Sequence, residues 1–427
     1  MIFLYRIAFL PLFLLALPYY GWRMIRRGGY SKDFSHRFGL LQDLPKSKKT
    51  RVWIQAVSVG EVEALANLLK IMRDSGLFEV VLTTTTSTGY AILKKKYSEF
   101  CFYTGIFPFD FCLTNYLAYN RIKPDVCVLM EGELWPEHLH RAKARKIPLL
   151  LLNARLSDKS FSRYKKIPAF FKRLISKFDF IACGSDFDAE RFLKLGADPE
   201  KLSVTGNIKF DSSSPEAMPA ERKAELKREL GFKEDSLVLL GSSTWEGEEE
   251  MLFDIAQNIR QKHGLDLRML LVPRHAERRA SVRQMLEKKG ADFHFRSESK
   301  QAPEGTLVYV ADTTGELKMF TQLADFAFVG KSMPPHRGGQ TPLDCAASAV
   351  ACVYGPEMSN FRKLCKSLEE AKASVKVESK AEAAEALERL ATDSDYRLEL
   401  GRRAKAWHDS NTGASERSFE ILKRFAK

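Results

Sequence analysis

Short apolar runs alternate with helix-forming segments along almost all of this 427-residue chain, an arrangement that few fold classes accommodate. Near-continuous Val, Ile and Leu is typical of strands buried on both faces of a parallel sheet. A first crossover helix is predicted from Glu61 to about Asp74. The first half contains six such runs: RVWIQAV (51–57), FEVVLTTT (78–85), DVCVLM (125–130), PLLLLN (148–153), FIACG (180–184) and LSVTGN (202–207). The alternation therefore predicts an α/β fold with parallel sheets.

The pattern breaks once and then restarts. The Ser/Pro-rich segment DSSSPEAMPAE (211–221) is a predicted linker. Helices are predicted at about 246–263 and 276–289, and the final stretch, about 380–427, is helical and polar. The runs after the linker are SLVLLGSS (236–243), LRMLLVP (267–273), TLVYVAD (306–312), DFAFVG (325–330) and ACVYG (351–355). Two Rossmann-like halves joined by a linker predict a cleft facing the carboxyl ends of the strands.

Charge and cysteine content narrow the class of partner. Lys and Arg number 67 against 54 Asp and Glu, a net charge of +13, which favours an anionic partner: nucleic acid, a lipid surface or a phosphorylated substrate. The seven cysteines include no C-x-x-C pair, which excludes a disulfide scaffold and favours a reducing compartment. With 45% hydrophobic residues the chain is globular, neither disordered nor a polytopic membrane protein.

The amino terminus is predicted to attach the protein to a membrane. Residues 7–22 carry no charge, and aromatic residues follow where a signal peptide would have small ones. Arg23, Arg26 and Arg27 then suit an anionic cytoplasmic face. This stretch is short for a full span and contains two prolines, so it either crosses the bilayer or lies in one leaflet. The alternative is a buried core helix.

A second basic segment, residues 155–180, mixes cations with aromatic rings. Such a mixture binds single-stranded nucleic acid or a phospholipid surface. The apolar segment that precedes it favours lipid, so a membrane or acceptor surface is expected and a nucleic-acid partner is not. A solvated helix face is the alternative. The cations are Arg163, Lys165, Lys166, Lys172 and Arg173.

Three motifs in the first half place polar residues at the predicted carboxyl ends of strands. S-V-G-E (58–61) puts Glu61 at a helix start, as a catalytic acid or as a partner of the helix dipole. E-G-E-L-W-P (131–136) supplies Glu131 and Glu133, of which one is expected to anchor the loop and the other to face substrate. T-G-N-I-K-F-D (205–211) supplies Lys209, which would neutralise a phosphate or carboxylate unless it is a surface lysine beside the linker.

The second half contains candidate anion-binding turns. G-S-S-T-W-E-G-E-E-E (241–250) predicts backbone N–H groups at a helix start, with its glutamates as helix-start charges. L-V-P-R-H (271–275), T-G-E-L (314–317) and G-G-Q-T-P-L-D (338–344) add Arg274, glycines for close backbone approach, and Asp344 as an acceptor for ribose hydroxyls. No G-x-G-x-x-G follows the first strand, and Walker, H-E-x-x-H and G-x-S-x-G motifs are absent from the sequence. Asp186 and Asp188 are interpreted as capping residues, and neither a metal nor a cofactor is expected.

As an ordered set covering nearly the whole chain, S-V-G-E, E-G-E-L-W-P, T-G-N-I-K-F-D, L-V-P-R-H, T-G-E-L and G-G-x-x-P-L resemble the Kdo transferases. These bacterial enzymes move 3-deoxy-D-manno-octulosonic acid (Kdo) from CMP-Kdo onto the lipid A precursor, lipid IVA, in lipopolysaccharide core biosynthesis. The resemblance implies a B-type glycosyltransferase fold and an inverting, metal-independent reaction at the cytoplasmic face of the inner membrane.

The resemblance also implies roles for particular residues. Glu61 corresponds to the general base, and Glu131 and Lys209 to residues that support the transition state. The CMP-binding positions correspond to Pro273, Arg274, Thr314, Gly315, Glu316, Thr341, Pro342, Leu343 and Asp344. The last motif departs from the usual G-G-H-N-P-L-E, so Asp344 is one methylene shorter than the family's glutamate, and Lys331 stands where a glycine is common.

The expected organisation is a membrane anchor (1–27), an acceptor-binding Rossmann-like domain (28–211), a linker (212–222), a CMP-sugar-binding Rossmann-like domain (223–405) and a terminal helix packing on the first domain (406–427). Two alternatives to Kdo transfer stay open. The chain could be a B-type transferase using another nucleotide sugar and another lipid acceptor. It could also be a membrane-bound scaffold without activity.

Overall fold

The computed structural model describes residues 2–27, 33–213 and 217–427, apart from the side chains of residues 10, 20, 23–27 and 213. The chain forms two compact units: Met1–Ser212 together with Thr412–Lys427, and Ser213–Asn411. Each unit contains one seven-stranded sheet, and every strand pairing within the two sheets is parallel. The predicted α/β class is confirmed.

The first sheet has the strand order β3-β2-β1-β4-β5-β6-β7. Its strands are β1 (Thr50–Ala56), β2 (Phe78–Thr84), β3 (Tyr103–Ile106), β4 (Val126–Met130), β5 (Leu149–Ala154), β6 (Phe180–Cys183) and β7 (Leu202–Val204). Every residue of β1, β4 and β5 is buried, as their apolar runs predict for central strands covered on both faces. Because β1 and β4 are neighbours, the motifs that follow them lie side by side at one sheet edge.

In the described residues, ten α-helices of the first unit precede the crossing to the second. They are α1 (Ile2–Arg27), α2 (Val59–Ala64), α3 (Ala66–Ser75), α4 (Ser87–Ile92), α5 (Cys112–Ile122), α6 (Pro136–Ala144), α7 (Asp158–Tyr164), α8 (Pro168–Ile175), α9 (Asp186–Lys194) and α10 (Ile208–Ser213). The crossover helix predicted from Glu61 is two helices, α2 and α3. They meet at Leu65, whose N–H is shared between the carbonyls of Glu61 and Val62.

The second sheet has the order β10-β11-β9-β8-β12-β13-β14. Its strands are β8 (Leu237–Thr244), β9 (Leu267–Pro273), β10 (Phe293–Phe295), β11 (Val308–Val310), β12 (Phe326–Val329), β13 (Ala351–Tyr354) and β14 (Val375–Lys376). The remaining helices are α11 (Ala220–Glu229), α12 (Glu248–His263), α13 (Arg279–Lys288), α14 (Leu317–Thr321), α15 (Leu343–Ala347), α16 (Arg362–Glu370), α17 (Lys380–Thr392), α18 (Ser394–Ser410) and α19 (Ala414–Lys423).

The chain leaves the second unit later than the sequence suggests. Helix α18 continues through residue 405 to Ser410, so the crossing falls between Asn411 and Thr412. Helix α19 then contributes Ala414, Ile421 and Leu422 to the core of the first unit. Asp211 secures the return, because its carboxylate accepts the backbone N–H groups of Gly413 (2.7 Å) and Ser415 (2.5 Å).

Helix α1 lies against the first unit along one side only. The Tyr5 hydroxyl donates to Oδ2 of Asp110 (2.9 Å), and Arg6 donates two hydrogen bonds to Glu137 (2.9 and 2.8 Å). Phe9 stacks on Phe111. Among the described side chains of α1, the exposed apolar ones are Phe3, Leu4, Ile7, Leu12, Leu14, Leu15, Leu17, Tyr19 and Trp22. This exposure differs from that of a core helix.

The described part of the chain contains no single helix with the length and apolar character needed to cross a bilayer. One bent pair, Ile2–Phe9 with Pro11–Tyr19, meets those two criteria together, with a 41° angle between its parts.

Asp110 connects α1 to α6. Its carboxylate accepts the backbone N–H groups of Glu137 (3.0 Å) and His138 (2.9 Å), the first donors of α6 that lack a partner within the helix. Asp110 is fully buried, and burial raises the pKa of its carboxyl to about 6. The helix that begins directly after the E-G-E-L-W-P motif is thus hydrogen-bonded through Asp110 to Tyr5 of α1.

Candidate functional site

Glu61 lies at the start of α2, immediately beyond the carboxyl end of β1. The Ser58 hydroxyl accepts the backbone N–H of Glu61, while the Glu61 carboxylate accepts the N–H of Val57 (2.9 Å) and the hydroxyl of Ser58 (3.0 Å). Ser58 thus caps α2 while Glu61 hydrogen-bonds back to residues 57 and 58, so the helix-start role anticipated from the sequence is present. The side chain is only 8% exposed, and burial is the main reason that the pKa of its carboxyl is raised.

Glu131 is the anchoring acid of the E-G-E-L-W-P motif. Its backbone has a positive φ of 54°, and its N–H donates to the carbonyl of Leu152 (3.0 Å) on β5. Its Oε1 accepts a hydrogen bond from Lys209 Nζ (2.8 Å) and lies 3.7 Å from Arg155. Gly132 is required beside it, because a Cβ there would meet the Arg155 carbonyl oxygen at 2.9 Å.

Glu133 is the acid of that motif left without a cation. It forms no ion pair with the described residues and is half-buried. Burial, together with the negative charges of Glu61 and Glu131, raises the pKa of its carboxyl to about 7. Three acids therefore share one end of this sheet, and the pKa of Glu133 is raised to near neutral pH. The motif spacing identified two acids here, but the burial that chiefly raises the pKa of Glu133, and the nearness of Glu61, depend on the fold.

Lys209 belongs to α10 rather than to an open linker. Its N–H is bound by the Asn207 side chain (3.1 Å), and the N–H of Ile208 donates to Oδ1 of Asn153 (3.3 Å) at the end of β5. These contacts direct Lys209 to Glu131. The first sheet thus brings Glu61, Glu131 and Lys209 together at one edge.

The candidate CMP-binding residues of the second unit lie at the carboxyl ends of β9, β11 and β12, of which β9 and β11 are neighbours and β12 is separated from β9 by β8. Pro273 ends β9 and Arg274 follows it; Thr314, Gly315 and Glu316 come after β11; Thr341 through Asp344 come after β12. Parallel strands present their carboxyl ends at one edge, so these segments share that edge. The φ of 91° at Gly315 explains the glycine in T-G-E-L.

Two of those side chains have distinct surroundings. Glu316 accepts two hydrogen bonds from the buried Arg296 (2.8 and 2.7 Å), which also pairs with Glu229 (2.8 Å). Asp344 is half-buried on α15, and burial raises its pKa against the opposing charges of Lys318 and His408. The Glu316 carboxylate thus holds its loop in place, whereas the Asp344 carboxylate forms no ion pair with described residues.

The G-S-S-T-W-E-G turn differs from its prediction. Glu248 is buried, and its carboxylate accepts backbone N–H groups of Trp245 (2.9 Å), Lys331 (2.8 Å), Ser332 (3.0 Å) and Met333 (3.3 Å). Glu248 therefore joins the turn after β8 to the loop after β12. The sequence predicted only that it would be a charge at the start of α12. Lys331 has a φ of 59°, the region that favours glycine, and its Nζ lies 4.5 Å from the Trp245 ring centroid.

Several polar residues that the sequence did not assign to the site have structural roles. Ser185 caps α9, and Asp188 accepts the N–H of Leu156 (3.0 Å). His138 packs against the rings of Trp53 and Phe107, and burial lowers its pKa to about 3. Within the described ranges, no group of three or more His, Cys, Asp or Glu is placed to hold a metal ion.

The basic segment forms an exposed surface on α7, α8 and the turn between them. Tyr164 and Phe171 stack with centroids 3.8 Å apart beneath it. Its five cations form no ion pair with described residues: Arg163, Lys165, Lys166, Lys172 and Arg173.

Solved structures share the B-type glycosyltransferase architecture of this chain. The UDP-GlcNAc 2-epimerase of Neisseria meningitidis is 12% identical, with a TM-score of 0.60 over 88% of this chain and 100% of that one. A glycosyltransferase of Rickettsia africae is 13% identical, with a TM-score of 0.56 over 89% and 99%. Two parallel sheets with polar turns at their carboxyl edges define this class.

Sequence relatives specify the family. The family described as 3-deoxy-D-manno-octulosonic-acid transferase (kdotransferase) matches residues 32–212. The 3-deoxy-D-manno-octulosonic acid transferase of Haemophilus influenzae is 32% identical over 96% of this chain and 95% of its own length. The corresponding transferase of Bordetella pertussis is 28% identical over 94% of each. The chain belongs to the Kdo transferase family and is a glycosyltransferase.

Proposed function

We propose that this enzyme transfers Kdo from CMP-Kdo onto the phosphorylated lipid A precursor lipid IVA, with inversion and with Glu61 as general base. The observation that carries the proposal is the grouping of Glu61, Glu131 and Lys209 at one sheet edge. A sugar hydroxyl is a poor nucleophile, so a positioned carboxylate has to accept its proton as the new bond forms.

In the proposed step the acceptor oxygen attacks the anomeric carbon of Kdo, and the Glu61 carboxylate takes the hydroxyl proton. The bond from the anomeric carbon to the phosphate oxygen breaks, and its electron pair leaves with CMP. Val57 and Ser58 hold the carboxylate by one hydrogen bond each, which fixes its direction and leaves lone pairs for the acceptor. Glu131 orients Lys209, whose positive charge balances the negative charge that develops on the leaving phosphate while the anomeric carbon becomes oxocarbenium-like.

The donor is assigned to the second unit. Arg274 and backbone N–H groups at the edge formed by β9, β11 and β12 balance the single phosphate of CMP without a divalent ion. Asp344 accepts from the ribose hydroxyls. The Haemophilus and Bordetella relatives carry the Kdo transferase name, which supports the sugar.

The location is assigned to the cytoplasmic face of the inner membrane, with α1 as the anchor. The exposed apolar side of α1 and the unpaired cations of α7 and α8 support this, because both suit an anionic lipid surface. A phosphorylated glycolipid acceptor would then meet the enzyme in the plane of the membrane.

The test is incubation of the purified protein with freshly generated CMP-Kdo and lipid IVA, with products counted by mass spectrometry. Addition of one or more Kdo units is the expected result. Parallel reactions with UDP-sugars address the alternative donor, and turnover there but not with CMP-Kdo would overturn the proposal. No turnover with any donor would favour the inactive scaffold.

A further inference from the structure

A cavity of about 290 Å³ opens between the amino end of α1 and helices α6 and α8. One part of its wall is apolar, formed by Ile2, Pro136 and Leu174. The other part is basic, formed by His140, Arg173 and Lys177. The volume is near the lower end for small-ligand sites, and the mixed wall suits a molecule with an anionic end and an apolar end.

The acids near this cavity are already occupied. Glu137 accepts two hydrogen bonds from Arg6 and lies 3.4 Å from Arg141. Asp179 accepts from Lys143 (2.5 Å) and from the N–H of Leu149 (2.9 Å). Among the described residues near the cavity, no acid is left to neutralise the cations of its wall.

Arg173 and Lys177 form no ion pair with the described residues. Lys177 is half-buried, and burial, followed by the positive charge of Lys143, lowers the pKa of its ammonium group. Its neighbourhood is therefore short of negative charge. A guanidinium and an ammonium group on one wall match a phosphate, which both bind through charge-assisted hydrogen bonds.

The neighbouring surface of α1 indicates where the apolar end of such a molecule would lie. Phe3 and Leu4, beside Ile2, are each more than two-thirds exposed. We propose that this cavity binds the phosphate of an anionic membrane phospholipid, with Arg173 and Lys177 on the phosphate and Ile2 and Leu174 on the glycerol and first acyl carbons. This inference rests on the proposed membrane attachment but not on the proposed transfer reaction.

The experiment uses the full chain and measures binding, not transferase activity. Its result can therefore be interpreted even if the proposed Kdo transfer fails. Binding of monomeric dihexanoylphosphatidylglycerol is measured by calorimetry for the wild type and for Arg173→Ala/Lys177→Ala. Losing both charge-assisted contacts is expected to weaken binding by about tenfold or more. The matched control, Lys165→Ala/Lys166→Ala, removes two charges from the same exposed surface outside the cavity and should stay within about twofold, since diffuse attraction is weak for a lipid monomer.

Three outcomes would overturn the proposal. Equal weakening in both double variants would indicate general electrostatic attraction. Inorganic phosphate binding as tightly as the short-chain lipid would indicate a free-anion site without an apolar subsite. Displacement of the short-chain lipid by equimolar lipid IVA would assign the cavity to the acceptor. Unchanged thermal unfolding of each variant is the control for folding.

Discussion

Lys209 Nζ lies 2.8 Å from Oε1 of Glu131, although 78 residues separate the two in sequence. The pair joins the first turn of α10 to the end of β4, and Arg155 adds a weaker contact at 3.7 Å. It is partly exposed on both sides, so its contribution to stability is small. Its value is geometric, because it fixes one acid and one cation beside Glu61.

The Lys209–Glu131 pair should act as one functional unit. Lys209→Met and Glu131→Gln are each expected to lower kcat by about 10²–10³-fold, because each removes a preorganised charge from the transition state. The double variant should lose little more than the worse single variant. Steady-state kinetics of the two single variants and the double variant with CMP-Kdo would provide this double-mutant cycle. Fully additive losses of transition-state stabilisation would show that the two residues act independently.

Glu61→Gln should reduce transfer by about 10²–10⁴-fold, since the amide accepts no proton in the reaction. Its amide oxygen can still accept the Val57 N–H, and its NH2 group can donate to the Ser58 hydroxyl, so α2 should keep its cap. The matched control is Glu63→Gln on the same helix, where the glutamate pairs with Lys96. A Glu61→Gln enzyme of wild-type rate would exclude this carboxylate as the base.

Glu133 should make stability depend on pH. Its pKa is raised in the folded protein from near 4.5 to about 7, so the folded state holds the proton more tightly. This contribution is fully present below the unfolded pKa and is lost as pH rises through about 7. In the wild type the free energy of unfolding should therefore fall by up to about 3 kcal/mol between pH 4.5 and 8. Glu133→Gln resembles the protonated acid and should not show this fall.

Urea unfolding of the wild type and Glu133→Gln at several pH values would measure that difference. The exposed Glu200→Gln is the control and should keep the wild-type pH dependence. Parallel pH profiles for the wild type and Glu133→Gln would contradict the assignment.

Asp344→Ala should raise the apparent KM for CMP-Kdo by about 10- to 100-fold, the cost of losing a hydrogen bond to a charged group. Asp344→Glu restores the glutamate that the family usually has and should keep or improve donor binding. Initial rates at varied donor concentration would separate the two variants. An unchanged KM in Asp344→Ala would show that other groups hold the ribose.

The long buried strands were predictable from sequence, and the short edge strands were not. DVCVLM (125–130) matches β4 because every side chain of a central strand is buried, which leaves a continuous apolar run. The strands β3, β10 and β14 have two to four residues each. Runs that short, at or near a sheet edge, give no periodic signal.

The site was predictable as separate motifs but not as a contact network. Strand-end placement identified Glu61, Glu131 and Lys209. The pKa of Glu133 is raised chiefly by burial and then by the nearby acids, and both depend on the folded arrangement in which β1 and β4 are neighbours. The positive φ of Glu131 and the backbone contacts of Glu248 depend on loops that meet from distant parts of the chain. Local residue patterns carry no information about contacts between loops that are distant in the sequence.

The ion pair between Arg6 and Glu137 affects the stability of truncated forms of this enzyme. Glu137 is completely buried, and without Arg6 it would keep only the longer contact with Arg141 (3.4 Å) among the described cations. Weakening the pairing of a buried charge is destabilising. Deleting residues 2–27 to improve solubility would also take Tyr5 from Asp110, the residue that caps α6. A low turnover rate of such a truncated enzyme would therefore be explained first by destabilisation of α6, the helix that follows the E-G-E-L-W-P loop, rather than by the loss of lipid contacts.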